Sequence, residues 1–224
     1  MNWVAIGLAI LVILLFYILY TFFLMKSTEL TTSASLSSSN PDIDINRPNG
    51  LRYAYGIWIY INSWDNGVPK TIFKRDSSIE LLFDATKPEL QCKLFVGTTE
   101  DVSVTITDNF PLQKWVHIVI SVDGQYLDAY LDGKLIKSSK MHVNGSSPTV
   151  GSKDDKMRLG GDTIYDAQVS KFIHWTEPLD PQTVWSTYNE GNGQGSGLTN
   201  SMSAYGVDFT ILKDNVEQNK YRLF

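Results

Sequence analysis

Hydrophobic and polar positions change rhythm along the chain, and each rhythm predicts a different element. From Trp3 to Met25 the residues are almost all Leu, Ile, Val, Phe and Tyr, with no charged side chain. At about 1.5 Å of rise per residue, such a run is long enough to cross a hydrocarbon core of roughly 30 Å. It predicts one N-terminal transmembrane helix, so that residues 1–26 form an anchor and lipid is the partner of Trp3–Met25. A cleaved signal peptide is the competing reading. It is opposed by the length of the apolar run, beyond the usual h-region of about 7–15 residues, and by the lack of a preceding basic residue. Lys26 is soon offset by Glu29, so charge does not set the orientation. Residues 27–46 then lose all apolar periodicity and fill with Ser and Thr, which predicts a linker.

Between Leu51 and Trp175 the rhythm becomes short β-branched and aromatic runs broken by Gly, Asn, Asp and Pro. This is the pattern of an all-β sandwich. Tyr53–Ile61 is apolar on both faces, and shorter runs follow at Thr71–Arg75, Ile79–Asp84 and Leu90–Val96. Val102, Val104 and Ile106 alternate with Ser103, Thr105 and Thr107, a half-buried strand. The clearest local signal is a meander. Trp115–Val122 turns at Asp123-Gly124, Tyr126–Leu131 returns, and Asp132-Gly133 leads into Lys134–Ser138. Asp-Gly supplies the positive φ that tight hairpin turns require. Leu127, Ala129 and Leu131 share one face of the middle strand, which predicts a core face.

The string WVHIVISVDGQYLDAYLDGKLI, Trp115 to Ile136, resembles the signature hairpin of the laminin-G-like, concanavalin-A-like superfamily. YAYGIWIYI with Trp58, MRLGG at Met157–Gly161, and VSKFIHWTEPLDPQTVWSTYNEG fall in the same family's order. The resemblance covers about residues 51–191 and implies a concanavalin-A-like jelly-roll β-sandwich over 47–191. In the closing segment Asp180 is a plausible N-cap, Pro181 suits the first helical position, and Val184, Trp185 and Tyr188 share a face. A short amphipathic helix is expected there. Residues 192–224 read as a Gly-rich hinge and a C-terminal tail in which Tyr205, Val207, Phe209 and Ile211 alternate with polar positions. That period of two suits an extended arm docking on the sheet edge of a neighbouring structural protein.

Composition narrows the function. With 24 acids against 19 bases, a net charge of -5 and no basic run, nucleic acid is not an expected partner. A single Cys, Cys92, excludes an internal disulfide and suits a reducing compartment. The sequon Asn144-Gly145-Ser146 is a three-residue pattern that arises by chance in chains of this length.

Relatives of this fold that hydrolyse glycans carry carboxylates on one strand in a Glu-x-Asp-x-x-Glu pattern, and the chain has no such pattern. Glu80 and Asp84 have i, i+4 spacing without a third acid between them, and Asp132 of the Asp128/Asp132 pair belongs to a turn. His117, His142 and His174 have no neighbours at metal-ligand spacing, and Cys92 has no nucleophile context. Oxygen ligands for calcium exist at Asp65-Asn66 and Asp154-Asp155, in no ligand pattern carried by the resemblance. No catalytic, cofactor or metal site is therefore expected.

Two functions remain. The first is a non-enzymatic, membrane-anchored structural module, a minor capsid or membrane-associated virion protein that links an internal membrane to a protein shell. Similar anchored domains occur in large DNA viruses whose capsid encloses a membrane. The second is a lectin-like protein whose rim aromatics, Trp64, Tyr165 and Trp175, stack on glycans.

Overall fold

The computed structural model describes residues 3–23, 27–45, 50–65, 67–97, 100–142, 145–152, 154–193, 208–213 and 216–222. Asn144 of the sequon lies outside them. Helix α1 spans Trp3–Phe23, 21 residues without an acid in the first turn or a base in the last. Among the described residues no helix is long and apolar enough to cross a membrane. The spanning anchor expected from the sequence thus reduces, in the structure, to a helix.

Two antiparallel sheets make the sandwich. The six-stranded sheet has the order β1-β11-β2-β7-β8-β9 and the five-stranded sheet β10-β3-β4-β5-β6. The first holds β1 (Ser27–Ser35), β2 (Arg52–Ile61), β7 (Trp115–Asp123), β8 (Tyr126–Leu131), β9 (Lys134–Lys140) and β11 (Ala167–Trp175). The second holds β3 (Lys70–Arg75), β4 (Ile79–Phe83), β5 (Leu90–Val96), β6 (Glu100–Thr107) and β10 (Met157–Leu159). Both hairpin turns of the meander have positive φ, at Gly124 (62°) and at Asp132 and Gly133 (47° and 77°).

The core lies between the sheets. Ile57, Ile59, Ile118, Ile120 and Phe172 from one meet Phe73, Ile79, Leu81, Phe83 and Leu94 from the other, all inaccessible to solvent. Tyr55, Phe73 and Phe172 form a connected ring cluster with centroids 5.0–6.0 Å apart. On the outer face of the six-stranded sheet α2 (Pro181–Asn189) packs Val184 with Val119 of β7 and Tyr130 of β8, and its Tyr188 stacks on Trp58 of β2. Asp180 caps it by accepting from the amides of Gln182 and Thr183 at 2.9 and 3.0 Å.

Two sequence expectations need correction. Ser27–Ser35, expected within a linker, is an edge strand paired with β11 from Ser27↔Trp175 to Ser35↔Gln168. Leu30 and Ala34 pack on the core, and Leu36 is buried just beyond. Thr and Ser suit an edge strand whose outer face is solvated, and a hydrogen-bonding partner supplies what apolar alternation does not. The tail is also not a single extended arm. Asp208–Lys213 (β12) and Val216–Arg222 (β13) form a separate two-stranded sheet in which Phe209 pairs with Tyr221 and Ile211 with Asn219. Tyr205 and Val207 lie outside the described residues.

Candidate functional site

Of the aromatics expected to stack on glycans, Tyr165 and Trp175 are buried and Trp64 is half-buried. Tyr165 is 5 % exposed, and its hydroxyl donates to the Thr71 carbonyl at 3.2 Å. Trp175 is 8 % exposed, with its ring where a side chain on Gly56 would need to be: a Cβ there would lie 2.8 Å from the indole. Trp64 is half-buried against Phe83, ring centroids 5.7 Å apart, and the Lys70 ammonium sits 4.5 Å from its ring centroid. Lys70 also donates to the carbonyls of Asp65 and Val68, and burial lowers its pKa. These rings close the sandwich ends, because a large aromatic beside a loop covers apolar area at little entropic cost.

The carboxylates behave structurally. Glu80 accepts from the Thr71 hydroxyl at 3.0 Å, and Asp84 accepts from both the amide and hydroxyl of Thr86 at 2.8 Å, which lowers its pKa. Asp132 accepts from the His117 amide at 3.0 Å and pairs with Lys114 at 3.3 Å. Asp155 accepts from the Ser152 amide at 2.6 Å, while its carbonyl and that of Ser152 receive the buried Arg75 guanidinium. Asn66 lies outside the described residues. Among the described residues no three His, Cys, Asp or Glu side chains gather as a metal site.

His117 and His174 are each 2 % exposed. Burial depresses both to a pKa of about 4, so at neutral pH they are uncharged. His117 stacks on Trp58 at 4.9 Å, and Tyr188 of α2 stacks on the same indole at 5.6 Å. Cys92 is fully buried and its thiol pKa is raised by burial, which suppresses the thiolate.

The surface feature with the chemistry of a binding site is a polar groove at one end of the sandwich. Two segments build it. One follows β1 and contributes Ser38, Ser39, Asn40 and Asp42; the other begins within β10 at Arg158 and continues through Gly160, Gly161, Asp162, Thr163 and Ile164. The cavity measures about 250 Å³. A smaller one beside it shares Arg158, Gly160, Gly161 and Asp162 and adds Thr71, Lys74 and Glu80.

The glycine pair lets the second segment sit close. Gly160 has φ 75°, and a Cβ on Gly161 would lie 2.9 Å from Cβ and Oγ1 of Thr71. Arg158 is fixed by Asp76, with both carboxylate oxygens 2.6 Å from one guanidinium nitrogen. Its pKa is raised by Asp76 first, and by Asp42 and Asp162 from the groove. Asn40 is oriented by donating to the carbonyls of Ser35 and Ser38 at 2.9 and 3.2 Å. Ile164, 62 % exposed, joins Leu36 and Leu159 as the apolar part of a space otherwise lined by hydroxyl, amide, guanidinium and carboxylate groups.

Sequence reasoning named none of these groove residues as a site. MRLGG carries part of the family resemblance, and its double glycine is the signal the sequence offers for the groove. Asn40 and Asp42 were hidden because the strand that delivers them read as linker.

A family model described as the concanavalin A-like lectin/glucanases superfamily, of laminin-G type, matches residues 31–185. A curated relative, SH2 domain-containing protein A of Arabidopsis thaliana, is 25% identical over 175 residues, 69% of this chain. The chain spans about a quarter of that relative, 26% of its length. Among solved structures, the ligand binding domain of botulinum neurotoxin serotype D in complex with N-acetylneuraminic acid aligns with a TM-score of 0.56. Its identity is 19%, covering 72% of this chain and 42% of that one. The receptor binding domain of botulinum neurotoxin type G aligns with a TM-score of 0.52 at 17% identity, covering 73% and 50%. At such identities the likeness is one of fold.

Proposed function

Because the chain belongs to the concanavalin A-like lectin/glucanases superfamily, we propose that it is a non-enzymatic, membrane-attached glycan-binding module. The observation that carries this reading is the groove between residues 38–42 and 158–164. It presents hydroxyls, an amide and two carboxylates around an arginine already neutralised by Asp76. A hydroxyl-rich ligand is recognised by groups of this kind, held in place by their own hydrogen bonds. The serotype D neurotoxin domain, whose structure was solved with N-acetylneuraminic acid, supports a glycan as ligand class for this fold.

The non-enzymatic reading rests on the local roles of the acids. Glu80 is bonded to Thr71 and Asp84 to Thr86, so each carboxylate has a local structural partner. Membrane attachment rests on α1. Its described side chains from Ile10 to Tyr17 are all at least 40 % exposed around the helix, although they are Ile, Leu, Val, Phe and Tyr. A helix apolar on every face needs an apolar surrounding, and Trp3–Met25 in full is long enough for lipid to provide it.

A binding screen of the full chain in lipid nanodiscs against a glycan array tests the function. Retention of a glycan class is expected. Asp162→Ala or Asn40→Ala should weaken it at least about tenfold with the melting temperature unchanged. An array without any retained glycan overturns the reading.

A second reading, a virion structural module that bridges membrane and shell, is favoured by one observation. The β12–β13 hairpin is a sheet of its own outside the sandwich, as a docking element would be. Loss of particle incorporation on truncation after Gly193, with glycan binding absent, would select it.

A further inference from the structure

The β1 strand fixes which end of the sandwich can meet a membrane. Phe23 ends α1 and Ser27 begins β1, so four Cα steps join them and reach at most about 14 Å. Ser27 lies in a row across the sheet with Trp175, Ala54, Ser121, Asp128 and Ser138. β1 runs away from the incoming chain towards Ser35, roughly 26 Å further on.

On the incoming side of the row the sheet continues for two or three residues, to Leu51, Arg52, Tyr126 and Lys140. That end carries the apolar tips Leu51 and Tyr126, an exposed ion pair between Arg52 and Asp123 at 3.0 Å, and Lys140. Leu51 is 45 % and Tyr126 57 % exposed, and the Gly124 amide donates to the Leu51 carbonyl at 2.7 Å, so the two tips are neighbours. Arg52, paired with Asp123, and Lys140 flank them, exposed.

The opposite edge strand, β9, carries Lys134, Lys137 and Lys140 with exposed Leu135 and Ile136 and is the other basic-apolar surface. It lies five strand spacings, about 24 Å, from β1, beyond the reach of the Phe23–Ser27 segment. A sandwich lying on β9 would pull Ser27 away from the bilayer that holds α1.

We propose that the sandwich stands end-on upon the lipid surface entered by α1. Leu51 and Tyr126 rest in the headgroup region, Lys140 faces lipid phosphates, the Arg52–Asp123 pair lies at the water boundary, and the polar groove points away from the membrane. Tyr at an interface keeps its ring in the apolar boundary and its hydroxyl in water, and the lysine side chain extends to the headgroups. The groove segment 38–42 follows the far end of β1, so the same strand that ties the domain down also sets its site a strand length out. The inference rests on the membrane attachment proposed above.

The test uses the full chain in phosphatidylcholine vesicles containing a headgroup-nitroxide lipid. A thiol-reactive fluorophore is placed singly by Leu51→Cys, Tyr126→Cys or Ile164→Cys; native Cys92 is buried and stays unlabelled. The labels at 51 and 126 are expected to be quenched several-fold more than the label at 164. Chains that float with the vesicles but show equal quenching at all three sites overturn the end-on orientation and leave attachment standing. Chains that do not float overturn attachment and orientation together. Tyr126→Glu in the Leu51→Cys background should reduce quenching at 51 without changing flotation; unchanged quenching would again count against the orientation.

Discussion

The two edges of the six-stranded sheet, β1 and β9, were built by opposite means. β9 follows an Asp-Gly turn, and its place is written locally: the turn fixes the register, and three lysines keep the exposed edge from pairing with another sheet. All but one of its residues are exposed, and it contributes nothing to the core. β1 has no turn signal and almost no apolar residue, yet Leu30, Ala34 and the following Leu36 reach the core. It covers β11, which would otherwise be a bare edge next to the buried Phe172 and His174. A strand easily seen in sequence can thus matter less than one that is invisible there, because pairing chemistry and burial are separate properties.

The sharpest way to break that comparison is to delete one edge. Residues 27–193 are expected to fold without anchor or tail, and a fragment beginning at residue 47 should not, because it loses β1, Leu36 and Ile45. Burial of Leu36 and Ile45 alone is worth roughly 3–6 kcal/mol, a large part of a domain's stability. Urea unfolding followed by circular dichroism checks this. A two-state transition of equal midpoint in the shorter fragment would show that β1 is an ornament like β9.

Acidification should act on the β11 side next. His174 pairs across from Thr28 of β1 and is held neutral, as is His117 on β7. Their folded pKa of about 4 lies below the ordinary value near 6.5, so the unfolded chain takes up protons first. The stability they allow is present above about pH 6.5 and is lost as pH falls towards 4, by up to about 3 kcal/mol for each histidine. Chemical denaturation at pH 7 and pH 5 should show the loss, and His174→Gln should remove about half of the slope. A flat profile would mean that the histidines are hydrated in solution.

Matched substitutions on the two edges sharpen the contrast further. Leu30→Asp should cost about 2–3 kcal/mol, whereas Leu135→Asp, at a half-exposed position, should stay within about 0.5 kcal/mol. Equal costs, read from the same urea midpoints, would erase the distinction. The smallest effect is expected from stopping the chain at Gly193, which removes only the separate hairpin. The melting temperature of residues 27–193 and 27–224 should agree within about 2 °C.

Leu131 shows how far a face can be read from alternation alone. Its strand period places it with Leu127 and Ala129, but it is only partly buried at the strand end, while Ala129 is sealed. Tyr130, on the nominally outer face, is 2 % exposed because α2 covers it. Period-two patterning gives the two faces of a strand; what covers each face depends on elements distant in sequence.

Local chemistry by itself determined most of the sandwich. The Asp-Gly turns, the strand runs from Tyr53 to Leu131 and the Asp180-Pro181 helix start all depend on neighbours within a few residues. They were legible for that reason. The tertiary structure alone decided the rest. A Ser/Thr run became β1 because β11 offered it hydrogen bonds, the expected glycan-stacking rings became closures of the sandwich ends, and the polar groove arose where residues 38–42 and 158–164, over a hundred positions apart, came together. Edge pairing, burial and site assembly are long-range events, and no window of sequence contains both of their partners.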